Sequence, residues 1–146
     1  MSATVPPRIE ERPRLSKALW RGVRLRCPRC GGGRLFRRWV TMATNCPHCG
    51  MHFERGDGFM LGVMAINISV CSAVFAVYLV AGFVATWPDP PIGLLTGVGI
   101  AVLAATPFVF YPWSKTVWSA IDYFMRPLDV VETAEAMTYL AWRDSV

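Results

Sequence analysis

Four of the five cysteines fall in two copies of one short motif, Cys27-Pro28-Arg29-Cys30-Gly31 and Cys46-Pro47-His48-Cys49-Gly50. Fifteen residues separate the copies, so the pattern is C-x2-C-x15-C-x2-C, the spacing of a four-thiolate zinc ribbon. In each copy a tight turn brings two sulfurs to one ion. Proline presets the turn and the following glycine accepts the positive φ with which it ends. Cys27, Cys30, Cys46 and Cys49 are therefore the candidate metal ligands. Four thiolates complete a tetrahedron with no open coordination position, so the expected role is structural. Two disulfides are the alternative use of these residues. A C-x-x-C bridge would close only a tiny loop, however, and the topology argued below places the thiols in a reducing compartment. Thiolates also accept iron, which leaves a rubredoxin-like electron-transfer site open beside zinc, although the fifteen-residue spacer is short for that fold. His48 lies between two cysteines and His52 two residues past the glycine; with four thiolates present, neither is needed as a ligand.

The chain that must position these cysteines has two unlike parts. Residues 1–56 hold twelve Lys/Arg and three acids, whereas residues 57–146 hold three bases and seven acids. The isoelectric point of about 9.2 belongs to the N-terminal third, and the rest lifts the mean hydropathy to +0.35. From Gly58 to Pro88 there is no formal charge, and a second uncharged run covers Pro90–Ser114. A spanning helix needs about 20 apolar residues for a hydrocarbon core of about 30 Å, so spans are expected at about 59–86 and 92–111. The first begins after a metal module and is too long for the apolar region of a signal peptide. Trp87-Pro88-Asp89-Pro90-Pro91 links the runs, is helix-breaking and holds no Lys/Arg, so the two helices should form an antiparallel hairpin. The Arg cluster precedes the first span and Lys115 and Arg126 follow the second. The positive-inside rule then places both termini in the cytoplasm and the loop outside, where the ribbon thiols stay reduced.

Four segments are expected. Residues 1–25 form a basic leader: Met1–Pro13 is polar and proline-interrupted, and a short helix runs from Ser16 to about Leu25. Leu15, Ala18, Leu19 and Val23 share its apolar face, which suits either a membrane surface, with each base worth about 1 kcal/mol near anionic lipid, or a solvated basic tail. Residues 26–55 form the ribbon, with a strand at Arg34–Val40, a return over Thr41–Asn45, and Phe36, Trp39 and Phe53 supplying its small core. These aromatics stacking on nucleic-acid bases is the disfavoured alternative. Residues 56–129 contain the hinge Gly56-Asp57-Gly58, the two spans and a helical extension. Residues 130–146 form a short amphipathic helix with Glu132 in its first turn and Arg143 in its last. Its apolar residues Val130, Ala134, Met137 and Ala141 would lie on lipid or on a partner.

Within the spans, Gly93, Gly97, Ala101 and Ala105 repeat every four residues, and Gly58, Gly62, Ala65, Ser69, Ser72 and Ala76 make a small face on the first span. Such stripes favour close helix packing in lipid, within the chain or against a partner. Gly97 is the expected contact, and Gly99, on another face, should tolerate a larger side chain. Asn67 is expected to hydrogen-bond the neighbouring helix, and lone Cys71 to act as a packing residue. Pro107 and Pro112 should kink the second helix. Beyond them Lys115, Ser119, Asp122 and Arg126 form a polar stripe on a helix emerging through the cytoplasmic interface.

This layout resembles the domain-of-unknown-function 983 family of small bacterial zinc-ribbon membrane proteins. The residues that carry the resemblance are the knuckle Cys27–Gly31 leading into Arg34-Leu35-Phe36, and Cys46–Gly50 with Phe53. They continue with Glu54-Arg55-Gly56-Asp57-Gly58, the helix hairpin, and the exit Tyr111-Pro112-Trp113-Ser114-Lys115. It extends over about residues 25–129. Many members have Arg-Pro-x-Lys where this chain has Tyr111 to Lys115, and the tail from Val130 is its own. The resemblance implies no assigned reaction; some members are encoded near cytochrome oxidase assembly genes, which points to a respiratory complex. No His/carboxylate or Ser/His constellation lies in or near the spans. The expected fold is therefore a mostly α membrane protein, a two-span transmembrane helical hairpin with a small N-terminal cytosolic β zinc ribbon. The expected role is non-enzymatic: an adaptor, accessory subunit or assembly factor in the bacterial inner membrane, with the lipid bilayer and a membrane protein complex as partners. A membrane-tethered nucleic-acid binder is the remaining alternative.

Overall fold

The computed structural model describes residues 14–56 and 58–145; the proline-interrupted leader Met1–Pro13 and hinge residue Asp57 lie outside the described residues. Four helices follow in order: α1 (Leu15–Val23), α2 (Phe59–Thr86), α3 (Ile92–Met125) and α4 (Val130–Ser145). The cysteine knuckles occupy the segment between α1 and α2.

Helices α2 and α3 run antiparallel against each other. Asn67 donates to the Pro107 carbonyl at 3.2 Å near one end, and the Tyr78 hydroxyl donates to the Leu95 carbonyl at 2.7 Å near the other. Both helices are long and apolar enough to cross a membrane, and their apolar windows are 0% and 6% buried by the rest of the chain. A core helix of a soluble domain would be covered on most sides; these apolar stretches are left almost bare by the rest of the chain.

The face of α3 that meets α2 is not the expected stripe. Gly93 and Gly97 have open space where a Cβ would stand, whereas a Cβ on Gly99 would lie 3.2 Å from Tyr78 and 3.5 Å from Phe75. Gly99 is the close-approach residue because those two aromatic rings need the room. On α2, Gly62 is the counterpart, with the Trp118 ring packed on it; Ala65, Ser69, Ser72 and Ala76 stay exposed.

Helix α3 continues without a break through Pro107 and Pro112 to Met125. At 1.5 Å per residue its 34 residues reach about 51 Å, well beyond a hydrocarbon core. This extension differs from the expected interfacial helix, since Lys115, Ser119 and Asp122 are buried. Two neighbours cover it. Helix α1 lays Ala18 and Gly22 on it, so closely that a Cβ on Gly22 would sit 3.0 Å from the Thr116 carbonyl. Of the apolar face Leu15, Ala18, Leu19 and Val23, only Ala18 is buried, while Leu15 and Val23 stay exposed, because only the small residues of α1 allow this approach. The knuckle segment covers the other side: Tyr123 and Leu128 share one core with Cys27, Leu35, Cys46, Met51 and Phe53.

No strand forms among the described residues; two isolated antiparallel bridges, Phe36–Met42 and Asn45–His52, stand where a β ribbon was expected. The chain reverses at Arg38–Thr41, where the Thr41 N–H donates to the Arg38 carbonyl at 3.1 Å. Arg34 takes a positive φ of 60°. Between that bend and the reversal too few residues remain extended for a ladder.

Candidate metal centre

Each knuckle is built by the same backbone pattern. The glycine N–H returns to the first cysteine's carbonyl, Gly31 to Cys27 at 2.8 Å and Gly50 to Cys46 at 2.9 Å. The first cysteine's N–H then reaches five residues on, Cys27 to the Gly32 carbonyl and Cys46 to the Met51 carbonyl. Gly31 and Gly50 have φ of 79° and 71°, the left-handed region where a Cβ is disfavoured. The sequence motif is thus a turn that points two sulfurs the same way, twice.

The four Sγ atoms lie within 4.8 Å of one another. Two cross-knuckle pairs, Cys27–Cys49 and Cys30–Cys46, are each 3.7 Å apart. A tetrahedral ion with metal–sulfur bonds of about 2.3 Å requires sulfur–sulfur edges of about 3.75 Å, whereas a disulfide requires about 2.05 Å. All five cysteines are free thiols. The donor set therefore fits one tetrahedral ion, and the four cysteines stand poised to bind it. Cys27 and Cys46 are fully buried, while Cys30 is exposed and accepts a hydrogen bond from the Gly32 N–H at 3.3 Å.

Charge makes the same demand. The thiol contacts with Cys46 and Cys49, together with burial, push Cys27 far up from its ordinary value. Cys46, held by its contacts with Cys27 and Cys49, falls to about 2. At Cys49 the contact with Cys27 pulls down, but the Cys46 thiolate and burial raise the net value to about 12. Among these three, Cys46 is the thiolate, held by hydrogen bonds from Cys27 and Cys49, which keep their protons. A dication is what allows all four to ionise.

The surroundings hold the knuckles by their backbones. Arg21 on α1 donates to the carbonyls of Pro28 at 3.0 Å and Arg29 at 2.7 Å, and Arg29 reaches the Cys49 carbonyl of the other knuckle at 3.3 Å. From the opposite side, α4 presses its Ala136 backbone onto Gly50, leaving no space for a Cβ. The Arg143 guanidinium donates to the Pro47 carbonyl. The side of α4 that docks carries buried Thr133 and Ala136, while Val130, Met137 and Trp142 stay exposed. The apolar residues expected on lipid or a partner, Val130, Ala134, Met137 and Ala141, are all exposed, and α4 docks on the knuckle by a different face. Asp129 and Glu132 start this helix as a capping box, with Glu132 Oε2 accepting the Asp129 N–H at 3.0 Å.

The histidines take structural places. The His48 ring packs on Gly32, so tightly that a Cβ there would collide, and His52 Nδ1 lies 3.4 Å from Asn45 Oδ1. Phe53 is core, and Phe36 packs against it. Trp39 is not in the core: it is 58% exposed, stands edge-on to Trp113 at 6.0 Å, and donates Nε1–H to the Phe108 carbonyl at 3.1 Å. Pro112 explains this bond. It has no N–H, so the Phe108 carbonyl lacks its helical donor, and the indole of the knuckle segment supplies one. Asn67 bonds the neighbouring helix as expected, and its Oδ1 accepts the Cys71 thiol at 3.4 Å.

Sequence reasoning missed a buried ionic joint. Arg55 Nη2 lies 3.0 Å from Asp122 Oδ2 with side chains 6% and 7% exposed, and Arg55 Nη1 lies 3.4 Å from Glu132 Oε2. Lys115 Nζ pairs with Glu54 Oε1 at 3.2 Å. A signal was present. Arg55 is the sole base between Arg38 and Lys115, and Asp122 the sole acid of α3. An isolated charge in apolar sequence requires a partner.

No curated protein and no solved structure matches the chain. The family model described as "Protein of unknown function (DUF983)" matches residues 36–123. That range takes in the second knuckle, both apolar helices and the α3 extension as far as Tyr123. Both ends of the ionic joint between the knuckle segment and α3, Glu54–Lys115 and Arg55–Asp122, lie inside it. With more than half its length matched, the chain belongs to the DUF983 family.

Proposed function

We propose that this is a two-span integral membrane protein of the bacterial inner membrane whose cytosolic knuckle module holds one structural zinc ion. In this reading both termini are cytoplasmic and about Thr86–Pro91 is external. The protein acts without catalysis, as an adaptor, accessory subunit or assembly factor of a membrane complex, with a respiratory complex the leading candidate. The observation that carries the reading is the donor set. Four cysteine sulfurs at tetrahedral spacing leave no position for a substrate, and a site with that property shapes a surface. Uncovered apolar helices support the membrane placement.

Metal analysis of protein purified without chelator should find about one zinc per chain, and Cys46→Ser should abolish it, since binding and folding are one equilibrium in so small a module. Full zinc occupancy in Cys46→Ser would sink the four-thiolate assignment. For topology, a thiol probe that cannot cross the membrane should modify Asp89→Cys in intact cells and leave Ser145→Cys untouched until the cells are opened. Labelling in the opposite sense overturns the orientation. Co-purification from native membranes in mild detergent addresses the adaptor role, and recovery of no stoichiometric protein partner counts against it.

One observation favours iron as a second reading. Cys30 is exposed and its sulfur accepts the Gly32 N–H, and hydrogen bonds to sulfur and solvent exposure tune the potential of iron–thiolate centres. A red, redox-active protein with about one iron per chain, as a four-thiolate site would hold it, would replace the zinc reading with electron transfer. Nucleic-acid binding has less support, because Arg21 and Arg29 are engaged with knuckle carbonyls and Arg55 is buried.

A further inference from the structure

A cavity of about 330 Å³ opens between α2 and α3, lined by Val63, Met64, Asn67, Ile68, Pro107 and Phe108, with Val40 and Tyr111 at its edge. This falls within the roughly 300–1,000 Å³ of small-molecule sites. Its depth can be placed. The exposed apolar surface of α2 starts at Met60 and Leu61, and the continuous exposed apolar surface of α3 ends at Val109, beyond which Pro112, Ser114, Lys115 and Thr116 are buried and only Met125, at the helix end, is an exposed large apolar residue. In the two-span reading on which this inference rests, the cavity lies just inside the cytosolic boundary of the hydrocarbon.

Its chemistry is that of hydrocarbon. The one amide in the lining is used by the protein, since Asn67 donates to the Pro107 carbonyl and accepts the Cys71 thiol. Nothing polar is left over to recognise a polar ligand at depth. The edge is different. The knuckle segment's reversal, closed by the Arg37 N–H to the Thr41 carbonyl at 2.9 Å, brings Val40 to the cavity and anchors Trp39 on Phe108. Arg37 and Arg38 on the same turn are exposed and carry no ion pair among the described residues. The Tyr111 hydroxyl likewise has no hydrogen-bond partner there.

We propose that this is a site for one anionic phospholipid, with an acyl chain in the cavity and the phosphate on Arg37 and Arg38. An apolar slot at hydrocarbon depth, edged by Val40 of a turn whose two exposed arginines carry no ion pair among the described residues, matches an amphiphile with a negative head. Guanidinium pairs well with phosphate oxygens. A neutral lipid fits the slot but leaves the arginines unanswered. Trp39 and Val40 act as the wedge that holds the basic turn at this level, the place where Trp side chains settle in membranes.

Native mass spectrometry of the full-length protein in mild detergent tests this, with phosphatidylglycerol and phosphatidylcholine of identical chains as probes. One phosphatidylglycerol per chain should be retained, with a preference of roughly 30-fold over phosphatidylcholine, the effect expected of two basic residues at an anionic surface. Arg37→Gln/Arg38→Gln should erase the preference while leaving weak binding of both lipids. Ile68→Trp, at an exposed position of the lining, should fill the slot and remove binding of both. Metal content equal to the native protein's certifies that each variant is folded. Equal retention of the two lipids by the native protein overturns the proposal, as does a preference that survives loss of both arginines. Flotation with neutral vesicles separates this from the membrane reading. A protein that does not float refutes the two spans, whereas one that floats without lipid preference refutes only the site.

Discussion

Arg55 and Asp122 join the knuckle segment to α3 where water is excluded, so removing one of them tests how tightly the metal centre is coupled to the helices. Their remaining partners are weaker. Glu132 is 3.4 Å from Arg55 and 35% exposed, and Arg126, 3.5 Å from Asp122, is 72% exposed. Asp122→Ala leaves a buried guanidinium with that half-open carboxylate and the Tyr123 ring, 5.9 Å away. Breaking one side of a buried pair costs about 3–5 kcal/mol, and the surviving Glu132 contact places the expectation near the lower end, about 3 kcal/mol. At about 1.4 kcal/mol per factor of ten, the segment should then swing open roughly 100-fold more often. Opening exposes the ligands because Tyr123 and Leu128 share a core with Cys27 and Cys46. The assay is the rate at which metal passes to excess chelator under conditions where local opening is in rapid equilibrium. Arg126→Gln is the control: it removes an exposed pair worth about 0–1 kcal/mol and should accelerate transfer by no more than about fivefold. Arg55→Leu/Asp122→Leu should recover most of the native rate, since apolar replacement of both members of a buried pair is often neutral or better. Metal loss from Asp122→Ala no faster than from Arg126→Gln would refute the coupling. A double variant as leaky as the single one would refute the ionic account of it.

Gly50→Ala should release α4 from the second knuckle, because φ is +71° there and the new Cβ would meet the Ala136 backbone; hydrogen exchange across Val130–Ser145 should accelerate, while Gly58→Ala, with open space around it, should leave it unchanged. In the isolated protein in detergent, Gly99→Leu should lower thermal stability by an overpacking penalty of about 1–3 kcal/mol, and Gly97→Leu, whose Cβ meets nothing, should not. Equal effects of the two would mean that α3 is rotated from the face it presents here.

What the sequence made legible is what local pattern encodes. The C-x2-C spacing dictates the turn, and two turns dictate a four-sulfur cluster, because the ligands of each half are only three residues apart. The apolar runs announce α2 at Phe59–Thr86 and the start of α3 at Ile92, because length and the absence of charge suffice for that. The end of α3 was legible by another sign: hydropathy stops near Tyr111, but the polar stripe from Lys115 to Arg126 continues the helical period, and the helix runs on to Met125. What the stripe did not show is that it is buried. Its continuation is held by α1 on one side and the knuckle core on the other, contacts that no window of sequence contains.

Faces were harder than elements, and the reason is physical. A glycine every fourth residue reports that a backbone can be approached, not that anything approaches it. Gly93 and Gly97 satisfy the pattern and face open space, while Gly99 breaks it and lies under two aromatic rings. The polar stripe Lys115, Ser119, Asp122 is ambiguous for a related reason: the same periodicity serves a wet surface and a buried network. What separates the two is whether opposite charges exist elsewhere to meet it. Glu54 and Arg55 are those charges. They lie between the second knuckle and α2, within the motif that carried the family resemblance, and they meet the exit-motif base Lys115 and the extension's Asp122 across sixty or more intervening residues. Two motifs separated by a whole helical hairpin thus form one contact. That contact requires α2 and α3 to return the chain to the side from which it left. The antiparallel hairpin and the seating of the metal module are therefore a single structural requirement.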